Sequence, residues 1–173
     1  EHQLQAQIEV RCGDGLQTIK SGEVEVVVIA GMGGLTMLSI LDQGAALLKS
    51  PTLHNLVLQP QTDSDEVRKW AEKNGWEICQ EDLAQEGDKL YEMFRLKPNK
   101  HYVYPGSSYE VGSLLVTGKH PLLKKRLEKL IKTHTASLRG MKQSAEGTQH
   151  PQYAVIKNKL EKVEEIYNEN YRS

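Results

Sequence analysis

The chain has only two cysteines, two tryptophans, one phenylalanine and six prolines among its 173 residues. Cys12 and Cys79 stand alone without paired spacing, which leaves no disulfide framework and reads as two reduced thiols of a cytoplasmic protein. The histidines fall at 2, 54, 101, 120, 134 and 150 without metal-ligand spacing, so no metal site is expected. No apolar run approaches the ~20 residues that span a bilayer, and the opening Glu1-His2-Gln3-Leu4-Gln5 is polar rather than signal-like, so no membrane association is expected either. No Gly-Lys-Ser/Thr phosphate loop and no nucleophile-base pair is in evidence.

What is present begins with Val24-Glu25-Val26-Val27-Val28-Ile29-Ala30, which runs directly into Gly31-Met32-Gly33-Gly34 and then a helical pattern from Leu35. This reads as a strand buried on both faces, a tight glycine loop and a helix. Open α/β sheets bind small molecules at such a place, beyond the C-terminal strand edge and near the positive end of a helix. The loop is not a dinucleotide fingerprint: the sixth position from Gly31 is Thr36, and 50–55 offer no acidic residue. A glycine turn that merely lets a helix pack close to a sheet is the alternative reading.

Further elements follow from periodicity and turn chemistry. Ile8-Glu9-Val10-Arg11 reads as a short strand, Gly13-Asp14-Gly15 as a turn, and 35–49 as a helix with Leu35, Leu38, Leu41, Ala45 and Leu48 on one side. Residues 55–59 form a second buried strand ended by Pro60, and Asp63 caps a helix that runs to Asn74 and stops at Gly75. Residues 76–85 and 89–96 flank Glu86-Gly87-Asp88 as an antiparallel hairpin. The expected fold is therefore α/β, a mostly parallel sheet with an antiparallel edge, over residues 1–97. A connector rich in Tyr, Gly, Ser and Pro covers 98–120, and 121–173 form an antiparallel, coiled-coil-like helical hairpin. Its seams are Leu123, Leu127, Leu130 and Met141 on one helix and Tyr153, Ile156, Leu160, Val163 and Tyr167 on the other.

Charge is segregated under a net value of −1. Residues 1–97 hold nine Lys/Arg against sixteen Asp/Glu, whereas 119–142 hold eight Lys/Arg against Glu128 alone. Lys125, Lys129, Lys132 and Arg139 are offset from the leucine seam and form a stripe on the opposite helix face. Such a basic arm on an acidic body points to a polyanionic partner, the alternative being a solvated helix face.

The succession Gly13-Asp14-Gly15-Leu16, Ile29-Ala30-Gly31-Met32-Gly33-Gly34, Leu58-Gln59-Pro60 and Tyr91-Glu92, followed by a helical hairpin, resembles the bacterial tRNA adenine-N1 methyltransferases that act at position 22, in the D-loop region. The resemblance implies a class I, Rossmann-like domain that uses S-adenosyl-L-methionine, joined to a C-terminal domain that helps hold tRNA. Members of that family carry a first strand with a glycine-rich loop and a second strand ending in an acidic residue ahead of the part seen here. The chain accordingly looks like the C-terminal part of a longer protein, with half of a cofactor site. By the same resemblance Gly13, Asp14, Gly15, Leu16 and Ala30 lie near the cofactor, and Gly31, Met32 and Gly33 near both its sulfonium and the target base. Gln59 and Pro60 then face the base, and Lys125, Lys129, Lys132 and Arg139 contact tRNA. Alternatives stay open: Asp14 as a turn residue, Met32 as a core methionine and Gln59 as a strand cap.

Adenine N1 carries its own in-plane lone pair, so attack on a methyl sulfonium needs no base. Positioning is the main requirement, and alignment of reactants can supply roughly 7–11 kcal/mol. A β-branched residue at Gly33 is expected to fill the space that base and donor share, or to force a disfavoured backbone angle. The chain is expected to be a monomer or weak dimer. The competing reading is a non-catalytic RNA-binding or assembly module whose glycine loop is structural.

Overall fold

The computed structural model describes residues 7–143 and 147–172. Four strands form one sheet in the order β1-β2-β4-β3, with β1 spanning Val26–Met32, β2 Asn55–Pro60, β3 Trp76–Glu86 and β4 Lys89–Pro98. β1 and β2 are parallel, while β4 runs antiparallel to both β2 and β3, so the sheet is mixed. The hairpin turns at Gly87, whose φ of 56° suits a residue without Cβ.

Helices α1 (Gly34–Gln43), α2 (Ala45–Leu48) and α3 (Ser64–Lys73) connect the strands. Met37 and Leu41 of α1 and Val67 and Ala71 of α3 are wholly buried in one cluster with Val27, Ile29, Leu56, Leu58, Phe94 and Leu96 of the sheet. After β4 the chain runs through α4 (Ser113–Thr117) into α5 (Leu123–Lys142) and α6 (Pro151–Tyr171), the latter two packed as a hairpin. A second cluster joins Leu83 of β3 to Val111 and Leu115, to Leu123, Leu127 and Leu130 of α5, and to Val163 and Ile166 of α6.

Several expectations are corrected. Residues 8–11 are not a strand: Val10 is 90% exposed, and the segment is held by Arg11, which pairs with Glu9 and Glu23, rather than by a ladder. The 35–49 helix breaks at Gly44, where Leu16 packs so close that a Cβ on Gly44 would lie 2.6 Å from Leu16 Cδ1. Its buried side carries Met37, Leu41 and Leu47, while Leu35 is 61% exposed. β1 is buried on one face only, with Val26 and Val28 exposed, because α1 and α3 cover a single side of the sheet. Asp63 stands at the N-cap of α3 in a left-handed conformation, yet its carboxylate accepts from Thr62 Oγ1 instead of capping the helix. In α5 the lower seam residue is Leu138 rather than Met141, and in α6 Ile166 joins Val163 as the buried pair.

The two clusters meet at one ion. Arg68, fully buried on the inner face of α3, donates to Glu81 of β3 at 2.8 Å, to Glu92 of β4 at 2.7 Å and to the Tyr109 carbonyl at 2.9 Å. Its guanidinium lies 4.7 Å from the centre of the Phe94 ring. Glu81 faces inward because β3 bulges between Ile78 and Gln80, which shifts the alternation by one and turns Glu81 and Leu83 toward the helices. The far oxygen of Glu81 accepts from Leu114 N at 2.9 Å, and Glu92 accepts from Ser64 and pairs with Arg126 of α5. Burial would raise the Glu92 carboxyl, but Arg126 and Arg68 outweigh it and hold it below the ordinary range.

Replacing Arg68 with Ala leaves two carboxylates facing each other in apolar surroundings. The expected cost is about 3–5 kcal/mol, and Arg68→Lys should recover only part of it because one ammonium cannot serve three acceptors in a fork. Urea unfolding followed by circular dichroism checks both variants.

Candidate functional site

The candidate site lies where β1 ends. β1 and β2 pair residue for residue from Val26 with Asn55 to Ala30 with Gln59; the next pair is Met32 with Pro60, so Gly31 is an extra residue on β1. Gly31 has φ of 80°, and a Cβ there would meet nothing within 4 Å: its requirement is conformational, and the space beside it is open. The Gly31 N–H donates to Gln59 Oε1 at 2.9 Å, and Gln59 Nε2 donates to the Pro60 carbonyl at 3.2 Å. Met32 is half-buried against the main core, and its carbonyl accepts from Gln61 N at 2.9 Å.

The other two loop glycines serve different ends. Gly34 opens α1 in contact with the β2–α3 loop: its N–H donates to the Thr62 carbonyl at 3.1 Å, and a Cβ would fall 2.6 Å from that oxygen. Gly33 is the N-cap of α1 with φ of −63°, an angle open to any residue, and a Cβ there would meet only the Thr62 hydroxyl, at 3.2 Å. The expected backbone strain at Gly33 is thus absent, and the crowding belongs to its neighbour. No side chain caps α1, so the positive end of this helix faces the loop.

The remaining candidate residues distribute as follows. Gly13 and Asp14 precede a 3-10 turn at Gly15–Thr18 that packs on α1, with Asp14 exposed and its carbonyl accepting from Gln17 N. Leu16 is buried in the main core, so only its backbone is free for a ligand. Ala30 is paired with Gln59 at the end of the ladder. The structure thereby unites Ala30, Gly31, Met32, Gln59 and Pro60 at one strand end, places 13–16 beside α1, and sets the basic stripe apart on the hairpin.

Among the described residues Lys125, Lys129, Lys132 and Arg139 form no ion pair, and the last three are exposed. The polar groups on the inner side of the same hairpin are paired with the body. Arg126 pairs with Glu92, His134 meets Glu110 at 3.0 Å, and Lys159 of α6 reaches Asp65 at 2.8 Å and Glu110 at 2.5 Å. His134 and Lys159 outweigh the effect of burial on Glu110 and bring its carboxyl down to about 2. A cleft of about 350 Å³ runs between α5 and the β2–α3 loop, lined by Gln61, Thr62, Asp63, Arg126, Lys129 and Thr133 among others. Because Thr62 also touches Gly33 and Gly34, this cleft leads to the glycine loop.

Sequence reasoning missed Arg68, Glu81, Glu110, His134 and Lys159 of this inner set, and noted Glu92 only within Tyr91-Glu92, without a role. One signal was available. Arg68 falls on the apolar face of α3 beside Val67 and Ala71, where an arginine has no reason to be unless it is paired. Among the described residues no helix is long and apolar enough to cross a membrane, and no three His, Cys, Asp or Glu side chains gather as a metal-binding group.

Comparison with known proteins is consistent with this architecture. The profile of the tRNA (adenine(22)-N(1))-methyltransferase family matches residues 1–165. A tRNA (adenine(22)-N(1))-methyltransferase of Bacillus subtilis is 34% identical over 113 residues, which cover 65% of this chain and 47% of that protein; the chain thus spans about half the length of this curated relative. The crystal structure of the Bacillus subtilis m1A22 tRNA methyltransferase TrmK superposes with a TM-score of 0.80 at 26% identity, over 95% of this chain and 72% of the other. An uncharacterised Listeria monocytogenes protein superposes with a TM-score of 0.81 at 29% identity, over 94% and 72% of the two chains.

The unequal roles of the glycines are testable by stability alone. Gly34→Ala must push α1 off the Thr62 carbonyl and is expected to cost about 1–3 kcal/mol, whereas Gly33→Ala should stay within about 0.5 kcal/mol of the parent. Thermal unfolding of the two variants checks the difference.

Proposed function

Since the chain belongs to the tRNA (adenine(22)-N(1))-methyltransferase family by its match over residues 1–165, we propose that the protein containing it methylates adenine N1 at position 22 of tRNA, with S-adenosyl-L-methionine as donor. The observation that carries the proposal is the bulged loop at Gly31, open on its outer side and set at the end of the parallel strand pair.

The donor supplies an electrophilic methyl group on a sulfonium when bound. Gly31, Met32 and Gly33 lie where base and sulfonium meet, and the bulge sets the loop backbone beside the open space that the base enters. Gly13, Asp14, Gly15, the Leu16 backbone and Ala30 lie on the cofactor side, with the exposed Asp14 carboxylate available to the adenine amino group of the donor. Nothing in this arrangement has to take a proton from N1, whose lone pair lies in the ring plane; the residues orient and exclude water. The target base must leave its stack to reach the loop, and the cleft between α5 and Thr62 is the route beside it. Such a protein works in the cytoplasm, where tRNA is found, and as a monomer or weak dimer.

The outward stripe supports the tRNA reading because its charges are not used inside the protein. The test is methyl transfer to transcribed tRNA, with m1A mapped by primer extension, for the chain alone and for the complete reading frame that contains it. Modification at A22, abolished by A22G, is expected of the complete protein; tRNA binding without any methyl transfer would favour the non-catalytic module instead. A second measurement concerns the stripe. Converting Lys125, Lys129, Lys132 and Arg139 to Ala should leave the hairpin folded, weaken tRNA binding and flatten its salt dependence by about 0.7–0.9 in slope per lost contact. Titrations across a salt series that match the parent in affinity and slope would place the RNA surface elsewhere.

A further inference from the structure

We infer that Gln59 is a positioning residue of the glycine loop, whose carboxamide stands in for the main-chain ladder where that ladder fails. The inference rests on the methyltransferase reading and goes beyond it by taking Gln59 out of direct contact with the base.

The ladder is interrupted where β1 carries its extra residue. The Gly31 N–H is left there without a main-chain acceptor on β2, while the ladder resumes with Gln61 N to Met32 O. Gln59 fills the gap. Its Oε1 takes the Gly31 N–H at 2.9 Å, and its Nε2 donates to the Pro60 carbonyl at 3.2 Å, so both ends of the amide are occupied by backbone. Each end of the amide keeps one further hydrogen-bonding position, but the backbone rather than a base fixes how the side chain points.

The clamp matters because of what lies on either side of it. Downstream the loop is tied by Met32 O to Gln61 N at 2.9 Å and by Gly34 N to Thr62 O at 3.1 Å. Gly31 itself has no side chain, stands at φ of 80° and has open space around it, so no steric wall holds its peptide in place. The Gln59 carboxamide is the contact that selects one orientation of this peptide. Since Gly31 is exposed, water can replace the lost bond at little cost in stability, and the penalty falls on loop order instead.

Two substitutions separate this role from its rivals. Gln59→Leu removes the acceptor, whereas Gln59→Glu keeps a carboxyl oxygen for the Gly31 N–H. In the chain itself, amide hydrogen exchange read by NMR should be about tenfold or more faster at Gly31 in the Leu variant, near the parent rate in the Glu variant, and unchanged in the core strands of both. In methyl-transfer assays of the complete protein, the Leu variant should lose about tenfold or more in kcat with KM for tRNA unchanged, and the Glu variant should recover most of it. An unchanged Gly31 exchange rate in Gln59→Leu overturns the clamp. A rise in KM with kcat preserved also overturns the inference, because Gln59 then binds substrate directly. If the parent protein transfers no methyl group at all, the methyltransferase reading fails on its own, and the exchange rates still decide what Gln59 does.

Discussion

A single guanidinium, withdrawn fully from water, ties the parts of this protein together. Arg68 projects from α3 onto the inner face of the β3–β4 hairpin, where the apolar cluster under α1 and α3 gives way to the one under α4, α5 and α6. Burying such an ion is costly, and the cost is offset only where geometry satisfies every donor and the opposing charges are close. For Arg68, two carboxylates and a main-chain carbonyl give each of the three nitrogens an acceptor, and the Phe94 ring lies against the guanidinium. The same carboxylates reach onward, Glu81 to the start of α4 and Glu92 to Arg126 of α5. The helical hairpin is therefore connected to the sheet by charge as well as by leucines.

This arrangement sorts the cations of the basic arm into two populations. Arg126 and Lys159 pair with Glu92, Glu110 and Asp65 within the molecule, and His134 hydrogen-bonds Glu110 beside them. Lys129, Lys132 and Arg139 face water, with Lys125 half-buried beside them. A hairpin attached to an acidic body through its own positive charges can still present positive charge outward, because on α5 Arg126 and His134 lie on the side toward the body while Lys132 and Arg139 lie on another. The uneven charge along the chain serves both purposes.

Much of the fold was legible in local chemistry. The glycine turn of the hairpin, the stop at Gly75 and the two long helices depend on neighbours a few residues apart, and the structure has them where periodicity and turn residues place them. The strand–glycine–helix sequence at 24–35 likewise marked the loop, since a β-branched run followed at once by glycines has few other uses. What went wrong locally went wrong for one reason: the deciding neighbour was distant in sequence. Leu16 packs onto Gly44 where the first helix is interrupted, and the packing of α3 together with α1 on Val27 and Ile29 decides which face of β1 is buried.

By itself the sequence determined the α/β class, the order of elements, the position of the glycine loop and the segregation of charge, because each is written in spacing and composition over short stretches. Only the tertiary structure decided which charges are spent and which are free. It also decided that Gly31 needs its backbone angle, Gly34 needs its lack of a side chain and Gly33 needs neither. The bulge at Cys79 that turns Glu81 toward Arg68, and the bulge at Gly31 that engages Gln59, exist only as mismatches between paired strands. A mismatch of register is a property of two segments held side by side, so no pattern within either one can announce it.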